Sequence, residues 1–597
     1  MRRVSEHLFW LEDTCSAYAV TAGDGTLLID CGTDIRPGAN QLAGLPPVEL
    51  VVLTHFHRDQ CASAAEWRRQ GAQVLIPFAE RRFFEEADLQ RAAYDTYNSY
   101  VSYYPCFAPL EDVRPAEYVY DYARFSWRGL QFQALPLPGH TFGSTGYLFE
   151  LDGARILACG DLLSAPGKLR DYYWAQWTYM DFTGHANYME SLKTVESLQP
   201  TLILPGHGKP FPPSAASMAE LRAAFEETYA LFYGRPYAYF QPQFRHITPH
   251  LVEVSNTWAR TYLAHDDAGH ALCIDCGYAA TNPIQRNPHR FVDGLTAGLA
   301  RELGIHAVEW FLCSHYHDDH LAGYPTLRRL YGTRFASSPE LQDILEHPER
   351  YEMPCLMAEA CPVDAVIPRG EAWEWRGIRF FMEQHPGQTI YHHTIWFEVD
   401  GKKFLCAGDN ISGLAFAENR DFIYSFIPKN RTPVSAYGDI VRRMLELAPD
   451  YILPGHGPAT AFDVSDMQRW RAWMERWTRA FGRMLDQDSP DRGMDPRWVE
   501  FYPYKVRVRP GETVRFRVNV TNHDAHVGVC RLRFRSVAGV ELAPAEARLA
   551  VPAQGIAQCE LVARFPSQFQ SHSLMITADV TWNDHHLGEI AEAVPFW

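Results

Sequence analysis

Two histidine-rich segments decide the fold: Thr54-His55-Phe56-His57-Arg58-Asp59-Gln60 and Ser314-His315-Tyr316-His317-Asp318-Asp319-His320. Each follows a short, mostly apolar run, at residues 50–53 and 308–312, that has the composition of a buried strand. Within each segment two histidines are separated by one residue, and an aspartate follows two residues later. Because alternate side chains of an extended chain point the same way, these donors can converge on one cation. The pattern therefore predicts two metal sites in one chain.

The two segments belong to a long internal repeat. Four other motifs recur in the same order: Ile29–Gly32 as Ile274–Gly277, Pro138–Thr141 as Pro386–Thr389, Cys159–Asp161 as Ala407–Asp409, and Leu204–Gly208 as Leu453–Gly457. These four motifs recur at offsets between 245 (274 − 29) and 249 (453 − 204) residues, whereas the histidine segments are 260 residues apart (315 − 55), which indicates extra chain before the second segment. A period of this length is too long for a solenoid, so the chain contains a duplicated domain.

The stretches between these motifs alternate between strand and helix patterns. Residues 149–159 and 397–407 predict hairpins that turn at Asp-Gly, a dipeptide that accepts the positive φ of tight turns. Residues 186–198 and 434–447 carry apolar side chains at helical spacing. This alternation predicts a layered α/β domain that occurs twice.

The C-terminal part of the chain has a different pattern. After a linker at residues 488–493, the chain alternates between apolar and polar side chains on both sides of a Pro-Gly turn at residues 510–511. Repeated runs of this kind predict an all-β sandwich. We therefore expect three domains, over residues 1–240, 241–487 and 494–597.

The composition excludes several classes of protein. With 47% hydrophobic and 21% charged residues, the chain has the composition of a folded globular protein. Its net charge of −17 comes without a dense run of Lys or Arg, so nucleic acid is not an expected partner. No window approaches about 18 consecutive apolar residues, and no signal peptide follows Met1. We therefore expect no membrane association and a cytoplasmic location.

The motifs together resemble the metallo-β-lactamase superfamily, whose pattern is H-x-H-x-D-H, a P-G-H-T loop, a G-D pair after a strand and a late P-G-H-G. The resemblance covers residues 1 to about 485 as two copies and leaves the C-terminal tail outside. It implies the fold class α/β, with two αββα sandwiches followed by an all-β, immunoglobulin-like sandwich. It also implies a dinuclear metal site at one edge of the sheets in each copy.

The resemblance also implies a set of metal ligands. In that family the first two histidines and the P-G-H-T histidine bind one metal. The Asp and His that close the first motif bind the other metal together with the last histidine, and the G-D aspartate bridges both. The ligands implied for the first copy are His55, His57, Asp59, His140, Asp161 and His207. Those implied for the second copy are His315, His317, Asp319, His320, Asp409 and His456.

Each copy departs from the family pattern once. In the first copy, Gln60 stands at the position of the second-metal histidine, where its amide oxygen can coordinate a metal, though more weakly than imidazole. In the second copy, Gln388 replaces the P-G-H-T histidine. We expect His392, four residues later, to supply the missing ligand through an extra loop turn. The alternatives are that His392 supports the ligands from behind, or that His385 is the donor.

The implied chemistry is hydrolysis. Two divalent ions lower the pKa of a bridging water, and the metal-bound hydroxide then attacks a small ester, thioester or lactone-like substrate. Asp59 and Asp319 are the residues expected to orient the hydroxide or to take its proton. Zinc is the expected metal, with two ions per intact site, and iron and manganese are alternatives. In this respect the chain resembles hydroxyacylglutathione hydrolases.

Two other functions stay open. Gln60 gives the first copy a mononuclear character, which is similar to iron-dependent persulfide dioxygenases. Alternatively, one or both copies are degenerate and serve as a non-catalytic scaffold. A small-molecule substrate and a homo-oligomer are the expected partners. Aromatic side chains are frequent in the first copy and are candidates for a substrate lid: Tyr94, Tyr97, Tyr100, Tyr103, Tyr104, Tyr172, Tyr173, Trp174, Trp177 and Tyr179. The alternative is that Tyr97, Tyr100 and Tyr104, which lie at helical intervals, pack between domains.

Overall fold

The structure is a computed structural model that describes residues 1–93, 107–175, 183–277, 295, 298–412, 427–434, 436–484, 490–537, 539–569 and 574–596. The described chain divides into two units. One lies within Met1–Pro242 and contains the first copy. The other comprises Gln243–Gly277 and Leu299–Trp597, and contains the second copy and the tail.

Two sheets and six α-helices form the described part of the first copy. The first sheet contains, in order across the sheet, β1 to β7: Arg2–Arg3, Leu8–Glu12, Ser16–Ala22, Gly25–Ile29, Val48–Val52, Gln73–Pro77 and Glu117–Val119. The second sheet contains β8 to β12, again as neighbours in sequence order: Arg124–Trp127, Leu130–Pro136, Thr145–Leu151, Ala154–Gly160 and Leu202–Pro205. The helices are Arg58–Cys61, Ala64–Arg69, Arg81–Glu85, Ala87–Ala93, Thr183–Leu198 and Ala215–Tyr233.

Period-two alternation along the strands produces the layers of the first copy. Leu50 and Val52 of β5 belong to the core between the two sheets, whereas Val51 belongs to the core under the helices that include Trp67. On the far side of the second sheet, a separate core includes Leu157 of β11 and side chains of the two long helices. Burying each such aliphatic side chain contributes about 1.5–3 kcal/mol. The predicted αββα layering is thus confirmed for this copy.

The second copy repeats this arrangement. Its first sheet contains β13 to β19: Gln243–Thr248, Leu251–Ser255, Thr261–His265, His270–Ile274, Ala307–Leu312, Arg334–Ser337 and Ala365–Val366. Its second sheet contains β20 to β25: Trp373–Trp375, Ile378–Gln384, His393–Val399, Lys402–Ser412, Tyr451–His456 and Thr460–Ala461. The described helices are Asp318–Leu321, Tyr324–Tyr331, Pro339–Glu346, Tyr437–Leu447 and Val464–Phe481. None of the helices in the described residues has the length and hydropathy of a membrane-spanning segment.

The two predicted hairpins carry the Gly-Asp motifs to the site. Each hairpin turns at an Asp-Gly pair in which both residues have positive φ, +51° and +79° at Asp152 and Gly153, and +53° and +70° at Asp400 and Gly401. Positive φ at both central residues is the geometry of a type I′ turn, which matches the twist of the flanking strands. The returning strands, β11 and β23, bring Asp161 and Asp409 to the same edge in each copy.

The tail forms two sheets that face each other. The strands β26 to β34 are Val499–Tyr502, Lys505–Arg507, Thr513–Thr521, Gly528–Ser536, Glu541–Ala543, Glu546–Val551, Ile556–Arg564, Ile576–Trp582 and His585–Phe596, preceded by a short helix at Pro490–Met494. One sheet has the order β26-β28-β32-β30 and the other β27-β34-β33-β29-β31. Phe516 and Leu561 of the first sheet share one buried core with Leu532 and Val580 of the second. The predicted all-β sandwich is confirmed.

A buried ion cluster joins the tail to the second copy. Arg431, only 6% exposed, binds both carboxylate oxygens of Asp495, with Nε 2.9 Å from Oδ1 and Nη2 3.0 Å from Oδ2. Its Nη1 donates to Glu500 Oε2 at 2.8 Å. Next to it, the Thr432 hydroxyl donates to the backbone carbonyl of Gln388 at 2.6 Å. The tail is therefore connected by two consecutive residues to a loop of the second-copy site.

Candidate metal centres

In each copy the implied ligands lie where strands end at one edge of the two sheets. His55 and His57 follow β5, His140 lies between β9 and β10, Asp161 follows β11, and His207 follows β12. His57 is also the N-cap residue of the first short helix, Arg58–Cys61, so Asp59 lies in the first turn of that helix. In the second copy His315 and His317 follow β17, Asp409 lies in the last part of β23, and His456 is the last residue of β24.

Three histidines of the first copy form one group. The donor atoms of His55, His57 and His140 all lie within 4.8 Å of one another, and all three side chains are buried. His57 Nδ1 is 3.0 Å from His140 Nε2. Burial lowers the pKa of His140 to about 3 and that of His57 well below its usual range, so both imidazoles are neutral. Neutral imidazole is the form that binds metal, and the group fits one divalent cation.

The remaining first-copy ligands surround a guanidinium. Nη1 of Arg170 lies 2.8 Å from Nε2 and 2.9 Å from Nδ1 of His207, and 3.5 Å from a carboxylate oxygen of both Asp59 and Asp161. The Gln60 side chain lies beside them, with Nε2 3.4 Å from Asp161 Oδ1. Although burial opposes it, hydrogen bonding to Asp161 and Asp59 raises the pKa of His207 to about 10. Arg170 was not among the residues predicted from the sequence.

The second copy forms two donor groups that share one aspartate. The first contains His315, His317 and Asp409, and the second contains Asp319, His320, Asp409 and His456. In each group the donor atoms lie within 4.8 Å of one another. The structure therefore brings all six implied second-copy ligands together, with Asp409 in the bridging position that the resemblance implied.

Gln388 contacts the carboxylate of Asp409, whereas His392 contacts the backbone N–H of Asp409. The Gln388 amide donates to Asp409 Oδ2 at 2.7 Å, and its Oε1 is buried without a hydrogen-bond partner among the described residues. The His392 Nε2 atom accepts the backbone N–H of Asp409 at 3.1 Å, and its ring stacks on His315. The His392 Nδ1 atom is buried without a hydrogen-bond partner among the described residues, so its role as a metal ligand stays a prediction. His385 lies outside both donor groups and is 2.8 Å from Thr394 Oγ1.

The comparisons with known proteins agree with this geometry. A model of the metallo-beta-lactamase superfamily matches the chain twice, over residues 10–207 and 260–456. The chain belongs to the metallo-beta-lactamase superfamily. Each of the two matches ends at the last implied histidine of its copy, His207 or His456.

Individual superfamily relatives are distant. A lactamase-like protein, vrtG, from Penicillium aethiopicum is 28% identical over 165 residues, which are 27% of this chain and 43% of the relative. The chain thus spans less than half the length of this curated relative. Among solved structures, a Cronobacter sakazakii metallo-beta-lactamase with a HARLDQ motif is 19% identical, covers 42% of this chain and 96% of its own, and has a TM-score of 0.31. A metallo-beta-lactamase family protein from Thermus thermophilus is 20% identical, with coverage of 40% and 91% and a TM-score of 0.30.

The second copy fits the two cations of the superfamily. The Nε2 atoms of His315 and His317 are buried and have no hydrogen-bond partner in the described part of the chain. Burial lowers the pKa of His317 to about 4, which leaves its imidazole neutral. Asp409 Oδ1 is 3.1 Å from His320 Nε2, and its Oδ2 is 3.3 Å from His456 Nε2. Buried nitrogen donors around ionised carboxylates are the ligand set that zinc prefers.

A buried aspartate behind each site was missed by the ligand prediction. In the second copy Asp275 accepts the Ser314 N–H at 2.7 Å, and its Oδ2 is 2.9 Å from His320 Nδ1. In the first copy Asp30 accepts the Thr54 N–H at 2.8 Å and the Thr54 hydroxyl at 2.9 Å. The repeated Ile-Asp-Cys-Gly motif was the sequence signal for both aspartates. Asp275 directly orients the metal ligand His320. In the first copy the corresponding position is Gln60, so Asp30 has no histidine to orient there.

Among the described residues of the predicted aromatic lid, Trp174 borders the three-histidine group of the first copy. Its ring centre is 4.7 Å from that of His57 and 5.2 Å from that of Phe107. Tyr172 instead contacts His185, 2.7 Å from the ring nitrogen. Seven predicted members lie outside the described residues: Tyr94, Tyr97, Tyr100, Tyr103, Tyr104, Trp177 and Tyr179.

Asp275→Asn is expected to weaken zinc binding to the second copy about 10- to 100-fold, because the carboxylate that orients a metal-ligating histidine also raises its basicity. Competition with a chromophoric chelator measures this affinity in the full chain. Asp30→Asn is the matched control, since Asp30 binds Thr54 and has no histidine at position 60 to orient. Equal losses in the two variants would show that Asp275 acts only through the serine or threonine beside it.

Proposed function

We propose that the chain is a metal-dependent hydrolase whose reaction is carried by the second copy. The observation that supports this is the position of Asp409, which belongs to both donor groups of that copy. A shared carboxylate holds two cations close enough to act on one substrate. The substrate proposed is a small molecule with an electrophilic carbonyl: an ester, a thioester or a lactone.

Zinc is the proposed metal, with one ion held by His315, His317 and Asp409 and another by Asp319, His320, Asp409 and His456. When bound, such ions supply Lewis-acid polarisation of a substrate oxygen and lower the pKa of coordinated water. The Gln388 amide oxygen is buried without a hydrogen-bond partner among the described residues, so it would be available to the first ion. It can coordinate the ion through this oxygen while its NH₂ group stays on Asp409.

Asp319 is the proposed proton acceptor. Its carboxylate is 3.4 Å from His456 Nε2 and 3.8 Å from His320 Nε2. Although burial raises it, the charge of His320 and the hydrogen bond from His456 keep the pKa of Asp319 below its usual value. The ionised carboxylate can therefore hold a water in place and take its proton. Asp59, its counterpart, is instead 3.5 Å from the Arg170 guanidinium, which makes it a weaker base.

Zinc-loaded protein is expected to hydrolyse at least one class in a panel of small esters, thioesters and lactones, and apoprotein prepared with a chelator is expected to lose that activity. Re-addition of zinc should restore the rate, because the metal ligands are side chains of the folded protein and remain in place when the metal is removed. Product release by the full chain is the measurement, at matched protein concentrations.

Three results would contradict the proposal. Hydrolysis that survives removal of all metal would exclude a metal-dependent reaction. Dioxygen uptake with a persulfide substrate by protein that contains one iron ion, without hydrolysis of the panel, would favour the oxidoreductase alternative. A metal-loaded chain that is inactive in both assays would favour the scaffold.

A further inference from the structure

We propose that Arg170 takes the place of the second divalent cation in the first copy, so that this copy binds one divalent ion beside a built-in positive charge. The superfamily implies two ions per copy, and the donors of the first copy do not fit the second of them. This inference concerns metal content and holds whether or not the second copy hydrolyses a substrate.

The guanidinium lies among the donors that would bind the second cation. Asp59, Asp161 and His207 are the counterparts of Asp319, Asp409 and His456 in the repeat. In the second copy these residues and His320 form one compact donor group. In the described first copy, the corresponding residues form no such group, and Arg170 Nη1 lies within 3.5 Å of all three.

Gln60 adds a second obstacle to a cation at this position. Its Nε2 is 3.4 Å from Asp161 Oδ1 and 3.3 Å from His207 Nδ1. An NH₂ group donates hydrogen bonds and cannot bind a cation. Rotating the amide by 180° would place its oxygen next to the Asp161 carboxylate, where two acceptors repel each other. The position that holds the metal ligand His320 in the second copy therefore holds a hydrogen-bond donor, the Gln60 NH₂ group, in the first copy.

The charge balance favours a single added ion. Asp59 and Asp161 are two carboxylates that need a positive partner, and Arg170 supplies a charge that is present at every physiological pH. Arg170 is held in place from behind, because its Nε donates to Asp171 Oδ2 at 2.7 Å. A divalent ion between Asp59 and Asp161 would stand directly beside the guanidinium, and like charges at that distance repel strongly.

The three-histidine group next to it keeps its capacity for a cation. The Nε2 atom of His55 is buried and has no hydrogen-bond partner among the residues described. His140 Nε2 is 3.4 Å from Asp161 Oδ2, so this carboxylate can be shared by the single ion and the guanidinium. Arg170 then occupies, next to the bound ion, the position that a second metal has in a dinuclear site.

The direct test counts zinc in a chain whose second copy cannot bind it. With His315→Ala, His320→Ala and Asp409→Asn combined, the full chain is loaded with zinc, desalted and measured by elemental mass spectrometry. We expect one zinc per chain. Two zincs per chain would overturn the inference, and so would none, because the three-histidine group would then not bind metal.

The second test restores the missing site. In the same background, Gln60→His with Arg170→Ala is expected to raise the content from one zinc to two, since the double change recreates the second-copy ligand set. Arg170→Lys keeps the charge and should stay at one. Arg128→Ala is a matched control, because the Arg128 side chain is as exposed as that of Arg170 (31%) and pairs with Asp24 and Glu49 instead of the metal ligands. A gain in the control equal to that in the double variant would contradict a specific role for Arg170.

Discussion

Replacing both His315 and His317 by alanine is expected to lower the hydrolytic rate of the full chain about 10³-fold. The two imidazoles are two of the three ligands in the group formed by His315, His317 and Asp409. Without the metal, the transition state loses several kcal/mol of stabilisation. Each factor of ten in rate corresponds to about 1.4 kcal/mol. The rate per mole of protein is measured with the best substrate of the panel, alongside zinc content. We expect the rate and the zinc content to fall together.

The matched control for this double change is His526→Ala with His585→Ala. Both histidines are exposed on the tail, and neither belongs to a donor group among the described residues. Zinc content and rate should be unaffected there. If the His315 and His317 variant kept its rate, hydrolysis would have to be assigned to the first copy or to a contaminating enzyme.

Arg431→Ala is expected to lower the free energy of unfolding of the second unit by about 3–5 kcal/mol. Removing the guanidinium takes away the arginine partner of the buried Asp495 and of Glu500, and it leaves His523 Nε2, 2.9 Å from Asp495 Oδ2, beside the Asp495 carboxylate. Breaking a buried ion pair by removing one partner has a cost of this size. Urea unfolding followed by tryptophan fluorescence measures the change, because Trp498 and Trp582 lie in the sandwich core.

The control is an arginine at the surface that also pairs with one aspartate and one glutamate. Arg376 binds Glu309 and Asp266, but its side chain is 35% exposed, so Arg376→Ala should cost about 1 kcal/mol or less. A similar loss in the two variants would mean that burial of the Arg431 cluster contributes nothing specific. An Arg431 variant as stable as the parent would show that water enters the cluster and solvates its carboxylates.

The fold was predictable because its signals are local. The histidine segments stand at strand ends, and the Asp-Gly pairs specify type I′ turns whatever the rest of the chain does. The duplication repeats each of these signals, so that two layered α/β domains and the positions of His55 and Asp409 follow from residues close together in sequence, whereas the αββα order of the layers was implied by the resemblance to the superfamily.

The details of the two sites were less predictable because they depend on long-range contacts. Which side chains surround Asp409 depends on the path of one loop, and the sequence did not show that the Gln388 amide contacts its carboxylate. Arg170 and Arg431 carry no motif, since a long side chain from an irregular segment can reach many places. Their partners, Asp161 and Asp495, lie at other positions in the sequence, and only the folded chain brings each pair together.

The link from the sandwich through Arg431 and Thr432 to Gln388 has an evolutionary consequence. Gene recombination can exchange a module freely only when its neighbours do not depend on it. A chain that lost the tail would lose the partners of Arg431. The next residue, Thr432, donates a hydrogen bond to the backbone carbonyl of Gln388, so the loss would reach the second-copy site. The second copy and the sandwich are therefore expected to be inherited as one piece.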